Sequence, residues 1–268
     1  MCKLKISPTN QLAIFLSIYA ILAIFFNFKI EKLAHLGITV GFGMFLYVLF
    51  SRISTAKKIP QNALITTLII FLVLHYPLSI SNITEYVGPL IATFMAIFSK
   101  FFLEKNGSPI INPTVFGILI SAIIMRIVTG ESAPFTSWWG TNFQGYLSLT
   151  LILIWLIFGL NRWRKLPIVI TFLIFYGTIL YAFQQNLTTL KFIFTDTTIF
   201  FFAAIMLVDP KTSPIGKTQQ IIFAIIAATS YNLLNYLNLP FSYEPLLAIA
   251  IANFYFAITK LKKSVPSR

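Results

Sequence analysis

The sequence predicts an all-α integral membrane protein, a single transmembrane domain of about ten helices. Three observations carry that expectation. Hydrophobic residues make up 57% of the 268 and charged residues only 10%, against about 45–50% and about 25% in soluble domains. Mean hydropathy is +0.85. The apolar residues fall in long continuous runs, not in the ten-residue alternating segments of a membrane barrel.

The runs cover approximately 11–28, 33–51, 63–81, 85–103, 113–128, 146–160, 167–184, 193–208, 219–237 and 242–259. The first four are long enough for about 30 Å of hydrocarbon. The fifth opens at Asn112-Pro113, a polar N-cap followed by Pro in the first turn. It, the sixth and the eighth lie near the lower length limit. The eighth begins among Thr195, Asp196, Thr197 and Thr198, where Asp196 reads as a helix cap or, more sharply, as part of a cation or proton relay. The tenth opens at Glu244-Pro245, repeating the pattern of the fifth.

Loop charges orient the chain. With the N-terminus cytoplasmic, sixteen of the 20 Lys and Arg fall inside; only Lys29, Lys32, Arg126 and Lys191 fall outside. That is the positive-inside pattern, and it places both termini in the cytoplasm. The net charge of +13 is therefore a topology signal, and nucleic acid is not an expected partner. Cys2 is the only cysteine, so no disulfide, four-thiolate cluster or zinc site can be built from this chain alone. The start of the chain lacks the cationic and apolar regions of a secretory signal. No catalytic fingerprint and no metal site are read.

Pro113 and Pro245 are separated by about half the chain. An offset of five spans reverses direction, so the two helix starts suit an inverted five-plus-five repeat with halves of about 1–140 and 141–268. Such repeats place their site between the halves. Two loops on the cytoplasmic side join Asn or Asp to Pro at a helix mouth: Gly107–Gly117, with Ile111-Asn112-Pro113, and Val208–Lys217, with Asp209-Pro210-Lys211-Thr212-Ser213-Pro214. Free N–H groups at such mouths bind an anion or a ring carbonyl; the same sequence also suits a tight capped turn.

These residues resemble a known family. Ile111-Asn112-Pro113 through Gly117, Asp209 through Pro214 with Gly216-Lys217, and Ala248-Ile249-Ala250-Ile251-Ala252-Asn253 are similar, in order and spacing, to segments of the NqrB/RnfD family. Its members are membrane components of the sodium-translocating NADH:quinone oxidoreductase and of the Rnf electron-transport complex. The resemblance covers about residues 85–259. It implies a urea-transporter-like fold, a flavin, partner subunits of a membrane electron-transport complex, and quinone or a small ion as further partners. It further implies a non-autonomous subunit of a redox-driven translocase, in the plasma (inner) membrane of a prokaryote. Members commonly carry FMN joined to a Thr in an S-G-A-T motif on the outer side. Here the corresponding stretch, Thr129 to Gly140, has Ala133 or Pro134 at that position. Covalent FMN-threonine is therefore not expected, and FMN or riboflavin would be held non-covalently. The candidate cofactor-binding residues are Asn112, Pro113, Asp209, Thr212 and Ser213 on the inner side, and Arg126, Thr136, Ser137 and Trp138 on the outer side.

Each candidate has a plainer role. Trp138 and Trp139 suit interface anchors, and Arg126 suits a cation snorkelling to the surface or pairing with Asp196. His35 and His75, the only histidines, suit packed groups better than axial haem ligands. Two other functions fit the same architecture: a small-solute channel with Asn112 and Glu244 near its mouths, and a cofactor-free assembly subunit.

Overall fold

Proline and polar caps set where many of the helices begin. In the computed structural model, which describes residues 7–26, 28–54, 59–105, 108–130, 136–184, 186–237 and 243–264, the chain is almost entirely helical. Ser7 caps α1 (Pro8–Phe25), its hydroxyl accepting from Asn10 N, and Pro8 occupies the first turn, where no N–H is needed. Next come α2 (Ile30–Ile53), α3 (Pro60–Val73) and α4 (Thr84–Phe102). A two-residue antiparallel pair follows, β1 (Glu104–Lys105) with β2 (Ser108–Pro109). α5 (Pro113–Thr129) stops at Gly130, whose φ of 71° is the left-handed stop that glycine adopts freely. The chain continues as α6 (Tyr146–Trp163), α7 (Leu166–Gln184), α8 (Leu187–Thr195), α9 (Thr197–Met206), α10 (Lys217–Tyr236) and α11 (Glu244–Ser264).

All ten expected apolar runs are helical, with one addition and two corrections. The addition is the nine-residue α8. The third run, expected to reach residue 81, leaves the helix after Val73. The carbonyls of Leu72 and Val73 accept from Gly140 N and from Ser137 and Trp138 N, and Leu74 bridges Thr136 in extended geometry. Pro77, which cannot donate to a helix, follows. The eighth run, expected over 193–208, is broken at Asp196. Its carboxylate accepts from Thr198 N at 2.9 Å and starts α9 afresh.

Four helices are long and apolar enough to cross a membrane: α1, α2, α6 and α7. α3, α5, α9 and Glu244–Thr259 of α11 are apolar but shorter. At 1.5 Å per residue, the 14 residues of α3 rise only about 21 Å and α9 only about 15 Å. Both are shorter than a hydrocarbon layer about 30 Å thick.

The packing order repeats. α1 packs on α3, α2 on α3 and α4, and α4 on α5; α6 packs on α9, α7 on α9 and α10, and α10 on α11. Leaving the short α8 aside, these contacts of the second set are those of the first shifted by five places; α3 also packs on α4 and α5, which α9 does not do with α10 and α11 to the same extent. The halves meet where α5 packs on α11 and α1 on α6. Small residues allow the tightest contacts. A Cβ on Gly117 would lie 2.3 Å from Ala92 O and 2.7 Å from Ala96 Cβ, so glycine there lets α5 lie against α4. Within the second half, α6 and α9 each contain a π turn, over Leu156–Leu160 and Phe202–Met206. Trp155 Nε1 donates to Ala204 O at 3.2 Å and links them.

The end of the bundle at which α1, α3 and α5 start carries Lys100, Lys165 and Lys211 and is called the basic end below. At the opposite, far end, Thr141 O accepts from Tyr19 OH of α1 and from the Thr197 hydroxyl of α9. This one carbonyl ties both halves together.

Candidate functional site

Three loop and helix segments far apart in sequence meet at the basic end. Asn112 caps α5, its Oδ1 accepting from Thr114 N at 3.0 Å and Val115 N at 3.4 Å. Pro113 follows in the first turn and has no N–H to satisfy. The Asn112 backbone N–H donates to Asn253 Oδ1 of α11 at 2.8 Å, and its Nδ2 donates to Asp209 Oδ2 at 3.2 Å. Asn253 Nδ2 donates onward to Thr212 O at 3.4 Å. Asp209 organises its own turn: Oδ1 accepts from Lys211 N at 3.0 Å, and its carbonyl accepts from Thr212 N, Ser213 N and Ser213 Oγ. Asn112, Thr212, Ser213 and Asn253 are all buried. Asn253 lies six residues before Thr259, the last residue of the apolar stretch of α11. The cluster therefore sits about 9 Å below the basic end of that stretch.

A buried lysine holds the second loop from behind. Lys165, between α6 and α7, is 3% exposed. Its ammonium donates to Ser213 Oγ at 2.8 Å, Ser213 O at 3.2 Å and Pro214 O at 2.7 Å. Burial lowers its pKa to about 8, partly opposed by the Asp209 carboxylate. Gln220 of α10 adds Nε2 bonds to Arg164 O, Pro214 O and Ile215 O. Asp209 to Pro214 is thus fixed from both sides.

The cluster borders a cavity of about 90 Å³ reached by Asn62, Lys100, Asn112, Trp163, Asp209 and Lys211. Asn62 and Thr114, both on this wall, lie in the first turns of α3 and α5. The surface is mostly apolar with a few polar side chains, Asp209 being the one carboxylate among the lining residues. Trp163 Nε1 is buried and has no hydrogen-bond partner among the described residues. An aromatic donor without an acceptor, on a residue that lines a cavity, suits a ligand carbonyl or phosphate oxygen.

The outer candidates lie at the other end. Arg126 is thirteen residues beyond Pro113 on α5, about 20 Å along the axis. It is exposed, and among the described residues it makes no ion pair with Asp196 or any other group. Thr136, Ser137 and Trp138 form the segment that caps the end of α3. Thr136 and Trp138 are buried, and Trp138 turns through a φ of 52°. Ala133 and Pro134 lie outside the described residues. The structure therefore brings Asn112, Pro113, Asp209, Thr212 and Ser213 together and leaves Arg126, Thr136, Ser137 and Trp138 apart from them. His35 packs on Phe71 and His75 stacks on Tyr76.

Asn253, Lys165, Gln220 and Trp163 were not among the expected site residues. Asn253 stood in a motif, but its target, the N–H of Asn112, lies 141 positions away. Lys165 sits in a basic loop, where a cation reads as topology. The chain matches no protein-family model and no curated protein significantly.

Proposed function

We propose that the chain is the membrane subunit of an ion-coupled electron-transport complex, holding a non-covalent flavin, FMN or riboflavin, at the basic end between its two halves. The observation that carries this reading is the convergence of Asn112, Asp209 and Asn253. The three segments that resemble the family share one hydrogen-bonded cluster at the edge of a cavity that Asn62, Lys100, Trp163 and Lys211 also line. On this reading the repeated packing order is an inverted five-plus-five repeat of the urea-transporter-like kind, with ten spans and both termini in the cytoplasm of a prokaryote. The basic end then faces the cytoplasm.

The donor set suits a flavin edge. Trp163 Nε1 and the side chains of Asn62 and Lys100 can meet ring carbonyls, and Asp209 can meet a ring N–H. Lys211 adds positive charge beside a phosphate. The cavity is smaller than the roughly 300–1,000 Å³ of most cofactor pockets. It therefore takes the polar edge of the ring, the rest projecting toward the basic end. A bound flavin supplies one- and two-electron chemistry; the protein's share is to orient it and set its potential. Lys165 and Gln220 contribute by fixing the 209–214 turn. Electrons enter and leave through partner subunits or quinone.

The test is to purify the full chain in a non-ionic detergent, denature it, and measure released flavin by fluorescence. Free flavin near one per chain is expected, with no flavin fluorescence on the denatured polypeptide in a gel. Asn112→Ala and Asp209→Ala should lower the yield. Protein that releases no flavin, and takes up neither riboflavin nor FMN when they are added, refutes the reading. The short helices α3 and α9 also favour a second one, a small-solute channel. Urea-driven volume changes of proteoliposomes, faster than in protein-free vesicles, would favour it. Absence of both flavin and conduction would point to an assembly subunit.

A further inference from the structure

The first half of the protein contains a buried polar column that the flavin reading does not use. Lys32, His35, Thr39 and Gly43 are spaced three or four residues apart along one face of α2. Lys32 is 2% exposed, and His35 and Thr39 are fully buried. The column faces Thr67 and Phe71 of α3 and Thr93 of α4. His35 packs on Phe71 at 5.3 Å. A Cβ on Gly43 would stand 2.1 Å from Thr67 Cγ2 and 3.2 Å from Thr93 Cγ2, so the three helices close on this line. Thr66, next to Thr67, lines the basic-end cavity. The column therefore runs from Lys32 near the far end to within one residue of the cavity wall.

Some of its interior groups are poorly satisfied. Among the described residues Thr93 Oγ1 and Tyr86 OH, two turns away on α4, have no hydrogen-bond partner, and the His35 ring has only the Phe71 carbonyl beside it, with no bond of good geometry from either nitrogen. An unpaired buried polar group bears its full desolvation cost, and the packing does not require it. In the second half α7 packs on α9 and α10 as α2 packs on α3 and α4. Their interior is filled by Phe172, Tyr176, Phe202 and Tyr231, with rings in mutual contact. The same architecture is thus built once with aromatic rings and once with unpaired polar groups.

We infer that this column is a proton path through the first half of the protein, with His35 as its relay. An imidazole can accept a proton on one nitrogen and release a proton from the other; one proton enters, one leaves, and the ring returns to its neutral form. Thr39 and Thr67 donate their hydroxyl protons to carbonyls of their own helices, which leaves oxygen lone pairs facing the path. A metal cation is a poor passenger. Lys32 stands 4.4 Å from the Trp139 ring and 4.9 Å from the Tyr76 ring at one mouth, with Lys29 beside Tyr76. Lys100 and Lys211 stand at the other mouth. His75 and Glu85 are further ionisable groups on the segments around His35, and α2 itself also carries Glu31 and, farther along, Tyr47 and Arg52. The Glu85 carboxylate is taken by Leu78 N and Asn82 Nδ2. Among the described residues no group of three acidic, His or Cys side chains can hold a metal ion.

The inference stands whether or not a flavin is bound. Its test uses the full chain in liposomes containing a pH-sensitive dye, with a potassium diffusion potential set by valinomycin. Proton entry above protein-free vesicles is expected, with no matching uptake of radioactive sodium. His35→Phe, which keeps an aromatic ring against Phe71, should return proton entry to background. Thr93→Val, nearly unchanged in shape, should reduce it and guards against misfolding of the first variant, as does gel filtration of both. Wild-type vesicles no more permeable than empty ones, undiminished entry in folded His35→Phe, or sodium uptake equal to proton entry would overturn the inference.

Discussion

Replacing Lys165 by Met should remove a pH dependence of stability. The side chain is 3% exposed, and its pKa is lowered from 10.5 to about 8, chiefly by burial. That lowering corresponds to about 3 kcal/mol against the charged form in the folded protein. Below pH 8 both folded and unfolded states are protonated, and the folded protein carries the whole cost. Between pH 8 and about 10.5 the folded amine is neutral while the unfolded one still holds its proton. The unfolded state then binds more protons, so stability rises with pH. From pH 8 to pH 10 the expected gain is about 2 kcal/mol, or roughly 4–8 °C in Tm for a chain of this size. The neutral amine keeps two of its hydrogens for the Ser213 and Pro214 oxygens, so the 209–214 turn stays anchored. The assay is thermal unfolding in a non-ionic detergent at both pH values, for the natural chain and for Lys165→Met. Subtracting the variant's slope removes the contribution of every other titrating group. An identical slope in the two proteins, or a relative loss of stability of the natural chain as pH rises, would refute the reasoning.

Two further outcomes follow from the packing. Asn253→Ala removes the acceptor of the Asn112 N–H and leaves a buried donor unpaired, so a loss of about 1–3 kcal/mol is expected; thermal unfolding in detergent measures it, together with weaker flavin retention, while a stability loss far below this range would mean that water replaces the side chain. Gly117→Ala forces a Cβ to within 2.3 Å of the Ala92 carbonyl and should cost about 1–3 kcal/mol by separating α4 from α5; Gly41→Ala on α2, where a Cβ meets nothing within 4 Å, is the control and should be neutral or slightly stabilising.

The helices were legible because membrane solvation selects long apolar runs, and their starts were legible where Asn112-Pro113 and Asp196 write a cap into local sequence. The end of α3 was not. Its apolar residues continue beyond Val73, and the segment that stops it lies at 137–140. The expected grouping of Thr136, Ser137 and Trp138 with a ligand rested on exposed hydroxyls and an aromatic ring at the membrane surface. Two of the three are buried, and the backbone of the segment is used as a cap. The inner cluster was legible as separate motifs but not as one site, because the contact from Asn112 to Asn253 exists only once α5 lies against α11. Lys165 was misleading for a different reason. A loop lysine counts toward topology whether it faces water or a protein interior, and composition does not distinguish the two.

The cap on α3 also has a consequence for biogenesis. Its last carbonyls wait for N–H groups that are synthesised more than sixty residues later. Until α5 has entered the bilayer and its following segment has folded back, Pro60–Val73 is too short to cross alone and has an open polar end. Such a segment gains little by stepwise release into lipid. It should stay beside the insertion machinery or at the membrane surface, and take its place when α4 and α5 arrive. The first five helices would then enter as a group, with α3 among the last to settle.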